Sequence, residues 1–313
     1  MNLIKSVRII GAPYHYGKDD SLNSDAPNAI RNSGLRMAFD VARIPYKDNG
    51  DLEVGHPLNH HTALYKKLKF LPEVLEITRL LREVVMATVK DNEIPIVIGG
   101  DHSIAIGSLL GMSAVRQEVT VIWIDSHGDF HTSKTTPSGR LHGMALALSL
   151  GLDKEFCKLF SGDVRYLDKD KVVMFGAQKF DPGEKEAVVK NISLIDMQYI
   201  IRYGIGQAVE ELLKRIKTKN IYISLDLDSV DRQYAPGTDM AIDGALTYRE
   251  LLYVIENLAK KRNVVGMDVV EYEPGNDVDK ITAKLAIESI TTALGRRVGV
   301  YELYMNDLAQ VEQ

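Results

Sequence analysis

Residues Val119 to Ile124, reading VTVIWI, form an apolar, β-branched run without a charged residue. A strand of that kind has to be covered on both faces, as in parallel sheets wrapped by helices. The run then breaks into Asp125, His127 and Asp129, three metal-competent side chains at alternate positions. While the extended backbone persists, period-two alternation puts all three on one side. Carboxylates and an imidazole packed that closely repel or strand one another unless a cation joins them. A polar loop with a capping Asp would read the same way, so two further stretches decide the matter.

Upstream, Ile94 to Ile98 is a second short apolar run, ending in Gly99-Gly100-Asp101-His102-Ser103. Paired glycines permit a sharp turn or a close backbone approach, and Ser103 is expected to cap a helix. His102 falls where a parallel strand ends, the place where open α/β sheets put ligands. Downstream, Ile221 to Leu225 closes with Asp226-Leu227-Asp228, then Asp231. An isolated D-x-D says little, but three strand ends that each finish in His or Asp point together to a metal centre. Asp125, Asp129, Asp226 and Asp228 supply four negative charges, and His102 and His127 two neutral nitrogens. One divalent ion would leave about two carboxylates uncompensated in a buried site, whereas two ions neutralise the set. Two such ions can share carboxylates and hold one water between them, lowering its pKa towards neutrality. Mixed carboxylate and imidazole ligands without a thiolate favour Mn²⁺, with Ni²⁺, Co²⁺ and Zn²⁺ also compatible.

The remainder of the 313 residues alternates strand and helix signals. Strands are expected at Val7 to Ile10, Ala38 to Ala42, Lys171 to Gly176, Val264 to Val270 and Val298 to Tyr301. Apolar residues at Val74, Ile77, Leu81 and Val84 give Leu71 to Val89 one helical face. Further helices are expected after Asp25-Ala26-Pro27 and over Ser103 to Ala114, Gly143 to Leu152, Ala208 to Ile216 and Val278 to Leu294. Leu246 to Ala259 is expected to be opened by a Thr247–Glu250 capping box. His60 and His61 read as an exposed helix start. The pattern implies a single α/β domain over 1–313, three-layered, with a mainly parallel central sheet and helices on both faces.

A net charge of −5 without a basic cluster argues against nucleic acid as a partner. The N-terminus lacks a signal peptide's apolar core, and no apolar run reaches the ~20 residues of a membrane span. The single cysteine, Cys157, cannot close an internal disulfide. A cytoplasmic enzyme is the expectation.

The segments GGDHS (99–103), DSHGD (125–129), SGRLHGM (138–144), SLDLDSVD (224–231) and MDVVEYEP (267–274) resemble, in order and spacing, the ureohydrolase family of arginases, agmatinases and relatives. The resemblance runs from the first strand to the last helix and is nearest to arginases. It implies a homotrimeric or homohexameric hydrolase with two Mn²⁺ per chain, whose bridging hydroxide attacks a guanidino carbon and releases urea. His102, Asp125, Asp129 and Asp226 would hold one ion, and His127, Asp125, Asp226 and Asp228 the other. His142 matches the family's proton-relaying histidine, and Glu271 the carboxylate that orients the guanidinium. Asp231 and Asp268 match supporting positions. Asp181 and Glu184 match residues that contact the substrate's α-amino group, and Thr136 and Ser138 match those that read its carboxylate. His131 and Arg140 stand where arginases carry asparagines, and Thr238-Asp239-Met240-Ala241 departs from a family signature. L-Arginine, cleaved to L-ornithine and urea, is the expected substrate. Agmatine, a guanidino acid or guanidine is the alternative, and a non-catalytic metal-binding relative is the reading from another class.

Overall fold

The structure is a computed structural model that describes residues 6–18, 24–54, 63–160, 164–240 and 242–296. Its strands are β1 (Val7–Ala12), β2 (Tyr46–Asp51), β3 (Ile94–Gly99), β4 (Val119–Ile124), β5 (Val172–Phe175), β6 (Ser193–Ile195), β7 (Asn220–Asp226) and β8 (Asn263–Val270). They make one sheet in the order β2-β1-β3-β8-β7-β4-β5-β6, and every pairing among the described residues is parallel. Successive side chains leave opposite faces, so each strand feeds two cores. Ile96, Ile98, Ile122 and Ile124 enter one core with the helices Met197–Arg215, Tyr248–Lys261 and Ile281–Ala293. Val97, Val121 and Trp123 enter the other with Leu71–Lys90 and Ala105–Val115. The expected three layers are present. Among the described residues no helix is long and apolar enough to cross a membrane.

Local signals hold where burial enforces them. Leu71–Lys90 buries Val74, Ile77 and Leu81, and the stripe continues through Val85 and Val89 while Val84 lies at its edge. Thr247 and Glu250 close a reciprocal capping box, with Glu250 N donating to Thr247 Oγ1 at 3.2 Å and Thr247 N to Glu250 Oε2 at 2.8 Å. Four expectations need correction. Ala38 to Ala42 is no strand: Arg36–Val41 is helical, and β2 lies beyond it in the polar YKDNGD. An edge strand beside a covered β1 needs no apolar face, and Asp48 and Asp51 there bind Arg31. Asp101, not Ser103, caps the turn after β3, its carboxylate accepting from Ser103 N at 2.9 Å. The helix from Gly143 shrinks to Ala145–Ser149 after a single turn, His142–Met144. The helix ending near Ile216 begins at Met197 and breaks at Gly204, whose φ of 78° only glycine adopts readily. The strand expected at Val298 to Tyr301 and the pair His60–His61 lie outside the described residues.

The strand order positions the site. β8 and β7 insert between β3 and β4, so four adjacent strands end along one edge of the sheet. Their carboxyl ends carry His102, Glu271, Asp226 and Asp125, at the crevice a doubly wound sheet opens where its order reverses.

Candidate metal centre

The turn after β3 is packed against the loop after β1. A side chain at Gly100 would collide with the Tyr14 carbonyl, its Cβ only 2.1 Å from that oxygen, so only glycine fits there. Asp101 pins this contact by accepting from Gly17 N at 2.6 Å and Lys18 N at 3.2 Å. His102 is thereby held over β4 and β7, stacked on the Trp123 indole with ring centroids 3.9 Å apart.

Three carboxylate oxygens converge on one nitrogen of this ring. His102 Nδ1 lies 3.2 Å from Asp125 Oδ2, 3.3 Å from Asp129 Oδ2 and 3.1 Å from Asp226 Oδ2. The opposite nitrogen is committed. Nε2 lies 3.0 Å from Ser224 Oγ, and that hydroxyl lies 3.1 Å from Asp268 Oδ2, while Tyr222 donates to Asp268 Oδ1 at 2.5 Å. Burial lifts the Asp268 carboxyl to about 6, which leaves it ionised and accepting at neutral pH. Ser224 therefore spends its proton on Asp268 and accepts from His102 Nε2–H. Nδ1 faces the three carboxylates with either one proton or a lone pair. One proton serves one carboxylate at a time, whereas a divalent cation serves the nitrogen and all three oxygens.

A second cluster adjoins the first. His127 Nδ1 lies 3.2 Å from Asp228 Oδ2 and 3.6 Å from Asp125 Oδ1, so the two oxygens of Asp125 face the two histidines. Asp228 Oδ1 and His127 Nε2 are buried without a hydrogen-bond partner, a costly arrangement for a protein to leave unmet. The electrostatics agree. Burial and the Asp125 charge push Asp129 up to about 7, and burial and neighbouring carboxylates raise Asp226 and Asp228. Burial opposes charge on His127, yet Asp125 and Asp228 push it up to about 12. Without a cation the cluster must borrow protons to balance itself. These donors fit two divalent ions.

Glu271 completes the floor. It is 3% exposed with φ of 61°, and Asp129 has φ of 48°, both in the left-handed region that non-glycine residues adopt under tertiary constraint. Glu271 Oε1 accepts from His102 N at 2.9 Å and lies 3.6 Å from His142 Nδ1. Burial would raise its carboxyl, but Lys18 and His142 hold it well below the usual range. Lys18 escaped the sequence reading. It follows Gly17 in the loop after β1, and the signal that could have found it is a lysine beside a strand end on the ligand-bearing edge.

The sequence profile of the Arginase family matches residues 5–295. The chain belongs to the arginase family. Arginase from Bacillus caldovelox is 33% identical over 298 residues, which span 94% of this chain and 100% of that protein. Arginase from Staphylococcus aureus (strain MRSA252) is 32% identical over 297 residues, spanning 93% and 97%. The native B. caldovelox arginase structure at pH 5.6 matches with a TM-score of 0.87 at 32% identity, covering 94% of this chain and 100% of that one. The Thermoplasma volcanium agmatine ureohydrolase shares the fold, with a TM-score of 0.71 at 22% identity over 97% and 92% of the two chains. As an arginase-family protein the chain is a metal-dependent hydrolase of amidine C–N bonds that takes small guanidino substrates.

Around this arginase-family centre, the outer positions are arranged unevenly. His131 Nε2 lies 3.0 Å from the half-exposed Asp181 Oδ2, and its Nδ1 3.2 Å from Thr135 Oγ1. Glu184 is buried and turned inward, accepting from Phe130 N and Asp181 N at 3.0 Å each. Its carboxylate also fills the space beside Gly128, where a Cβ would lie 2.5 Å from it. Thr136 Oγ1 accepts from Gly139 N at 3.0 Å and Ser138 Oγ from the Arg140 N–H at 3.2 Å. A hydroxyl that accepts keeps its own proton to donate. Asp239 meets Lys18 and Asn276, which ties this residue of the altered segment to the site's edge.

Proposed function

We propose that this protein hydrolyses L-arginine to L-ornithine and urea with two Mn²⁺ per chain. The observation that carries the reading is the convergence of three carboxylates on His102 Nδ1 while Ser224 occupies Nε2, beside the buried carboxylate of Glu271. His102, Asp125, Asp129 and Asp226 would hold one ion, and His127, Asp125, Asp226 and Asp228 the other, with Asp125 and Asp226 shared. The oxygen-rich, thiolate-free donor set favours manganese. When bound, the two cations make a water nucleophilic near neutral pH.

The remaining work belongs to the side chains. Glu271 accepts guanidinium N–H groups through a charge-assisted contact and so orients the carbon to be attacked. His142, with Nδ1 turned to Glu271, carries the proton that leaves with the ornithine amine. Burial opposes its protonation, but Glu271 raises its pKa, so the imidazolium is available as an acid. Attack by water forms the new C–O bond and the Cζ–Nε bond to the chain breaks; one water proton reaches the departing nitrogen by way of His142 and the other is released, leaving urea and a neutral amine. Asp181, Glu184, His131, Thr136, Ser138 and Arg140 are proposed to meet the substrate's tail. Support for arginine comes from the identity to two arginases over nearly the whole chain. His131, Arg140 and the 238–241 segment favour a second reading, the same chemistry on another guanidino compound. A single domain, trimeric or hexameric assembly and a cytoplasmic location complete the proposal. Urea release with added Mn²⁺ from L-arginine, agmatine, a guanidino acid and guanidine is the test. A higher kcat/KM for any of the other three overturns the arginine assignment.

A further inference from the structure

Lys18 is a buried ammonium that none of the five sequence motifs contains. Its side chain is 13% exposed, and Nζ lies 2.5 Å from Glu271 Oε2, 3.2 Å from Asp239 Oδ2 and 3.4 Å from Glu273 Oε1. His15 Nδ1 stands 3.1 Å from the same Glu273 oxygen, and Asn276 Nδ2 donates to the other oxygen of Asp239 at 2.9 Å. Glu271 thus turns Oε1 inward to the His102 amide and His142, and its outer oxygen is covered by a lysine. Oε2 is the atom a guanidinium must reach if Glu271 is its acceptor. Two cations on one carboxylate oxygen repel strongly in a desolvated site. Three carboxylates surround this one ammonium, however, so the cluster can take a second cation once Nζ shifts towards Asp239 and Glu273.

We propose that Lys18 is a specificity-determining residue, a resident cation on Glu271 that an incoming guanidinium must push onto Asp239 and Glu273. The inference rests on the guanidino-hydrolase reading with Glu271 as acceptor. The ammonium weakens binding of any fully charged guanidinium and penalises a less basic guanidino group less, because that group can enter neutral.

The test uses the manganese-loaded full chain and measures kcat and KM for L-arginine and for L-canavanine, whose oxyguanidine is less basic. Lys18→Met and Lys18→Gln each remove the charge, and Lys18→Arg keeps it. The neutral variants should lower KM for L-arginine about five- to tenfold, the scale of one charge contact at a water-like dielectric, because the wild-type Nζ can retreat to Asp239 and Glu273, and raise kcat/KM. The gain should be smaller for L-canavanine, and Lys18→Arg should keep the wild-type KM. Unchanged or higher KM in the neutral variants, or equal gains for both substrates, overturns the proposal. A merely structural lysine would move melting temperature without separating the two substrates. Independently of any variant, a crystal structure of the wild-type holoenzyme with L-ornithine plus guanidinium should show Nζ on Asp239 or Glu273. Nζ still on Glu271, with guanidinium bound beside the metals, also overturns it. If the wild type releases no urea from any guanidino compound, the underlying reading fails instead.

Discussion

Ser224→Ala tests the chain of hydrogen bonds behind His102. The substitution deletes one oxygen from a position with no solvent exposure, leaving too little room for a replacement water. It strands two groups: His102 Nε2–H loses its only described acceptor, and Asp268 Oδ2 loses a donor. Each stranded buried group costs about 1–3 kcal/mol, so the variant should be less stable by about 2–6 kcal/mol. His102 also loses the partner that fixes its orientation and keeps the Nδ1 lone pair aimed at the carboxylates. Loss of such a partner weakens metal binding about 10- to 100-fold. Calorimetric Mn²⁺ titration of chelator-treated protein reads the affinity, and urea denaturation of the metal-free form reads stability. Tyr222→Phe is the control, because it removes a different donor on Asp268 and leaves Ser224 in place. It should cost stability with a much smaller loss of affinity. Wild-type Mn²⁺ affinity in Ser224→Ala, or equal losses in both variants, refutes the argument that Ser224 orients the histidine.

Three other expectations follow from the same geometry. Chelation should lower the melting temperature, and the gap between metal-free and Mn²⁺-loaded protein should widen as pH rises. Folded pKa values above the unfolded ones mean stability present at low pH and lost on the way up, from ~4 through about 7 for Asp129 and from ~6.5 towards about 12 for His127. Asp125, held low, acts oppositely, but only in strong acid; a gap independent of pH counts against the cluster's proton balance. Asp226→Asn should cost more activity and more bound metal than Asp228→Asn, because Asp226 is proposed to serve both ions; equal losses by metal analysis reject that sharing. Arg140→Asn should reduce kcat/KM for L-arginine and leave agmatine unaffected, since a charged fork on a carboxylate contributes about 1.5–3 kcal/mol. The same ratio of the two substrates before and after the change removes Arg140 from the tail pocket.

The six proposed ligands could be read from the chain because each lies at the end of an apolar strand. A run with no polar face must sit inside a parallel sheet, and alternation then fixes which side its last residues take. β3, β4, β7 and β8 are legible on that ground, as is the helix capped by Thr247 and Glu250. β2 and the three-residue β6 are not, because edge strands need no double apolar face and carry little pattern. Nor could local pattern rank a polar side chain such as Ser224, which looks like any strand serine until His102, 122 residues earlier, meets it. Lys18 is the sharpest case. Its partner Glu273 lies 255 residues away, and only the order β1-β3-β8 brings the loop after the first strand against the end of the last. The proposed ligand set follows from local period and chemical type, which the chain carries along its length. Pairing between charges on separate strands follows from sheet order, and that is decided only when distant segments bury one another.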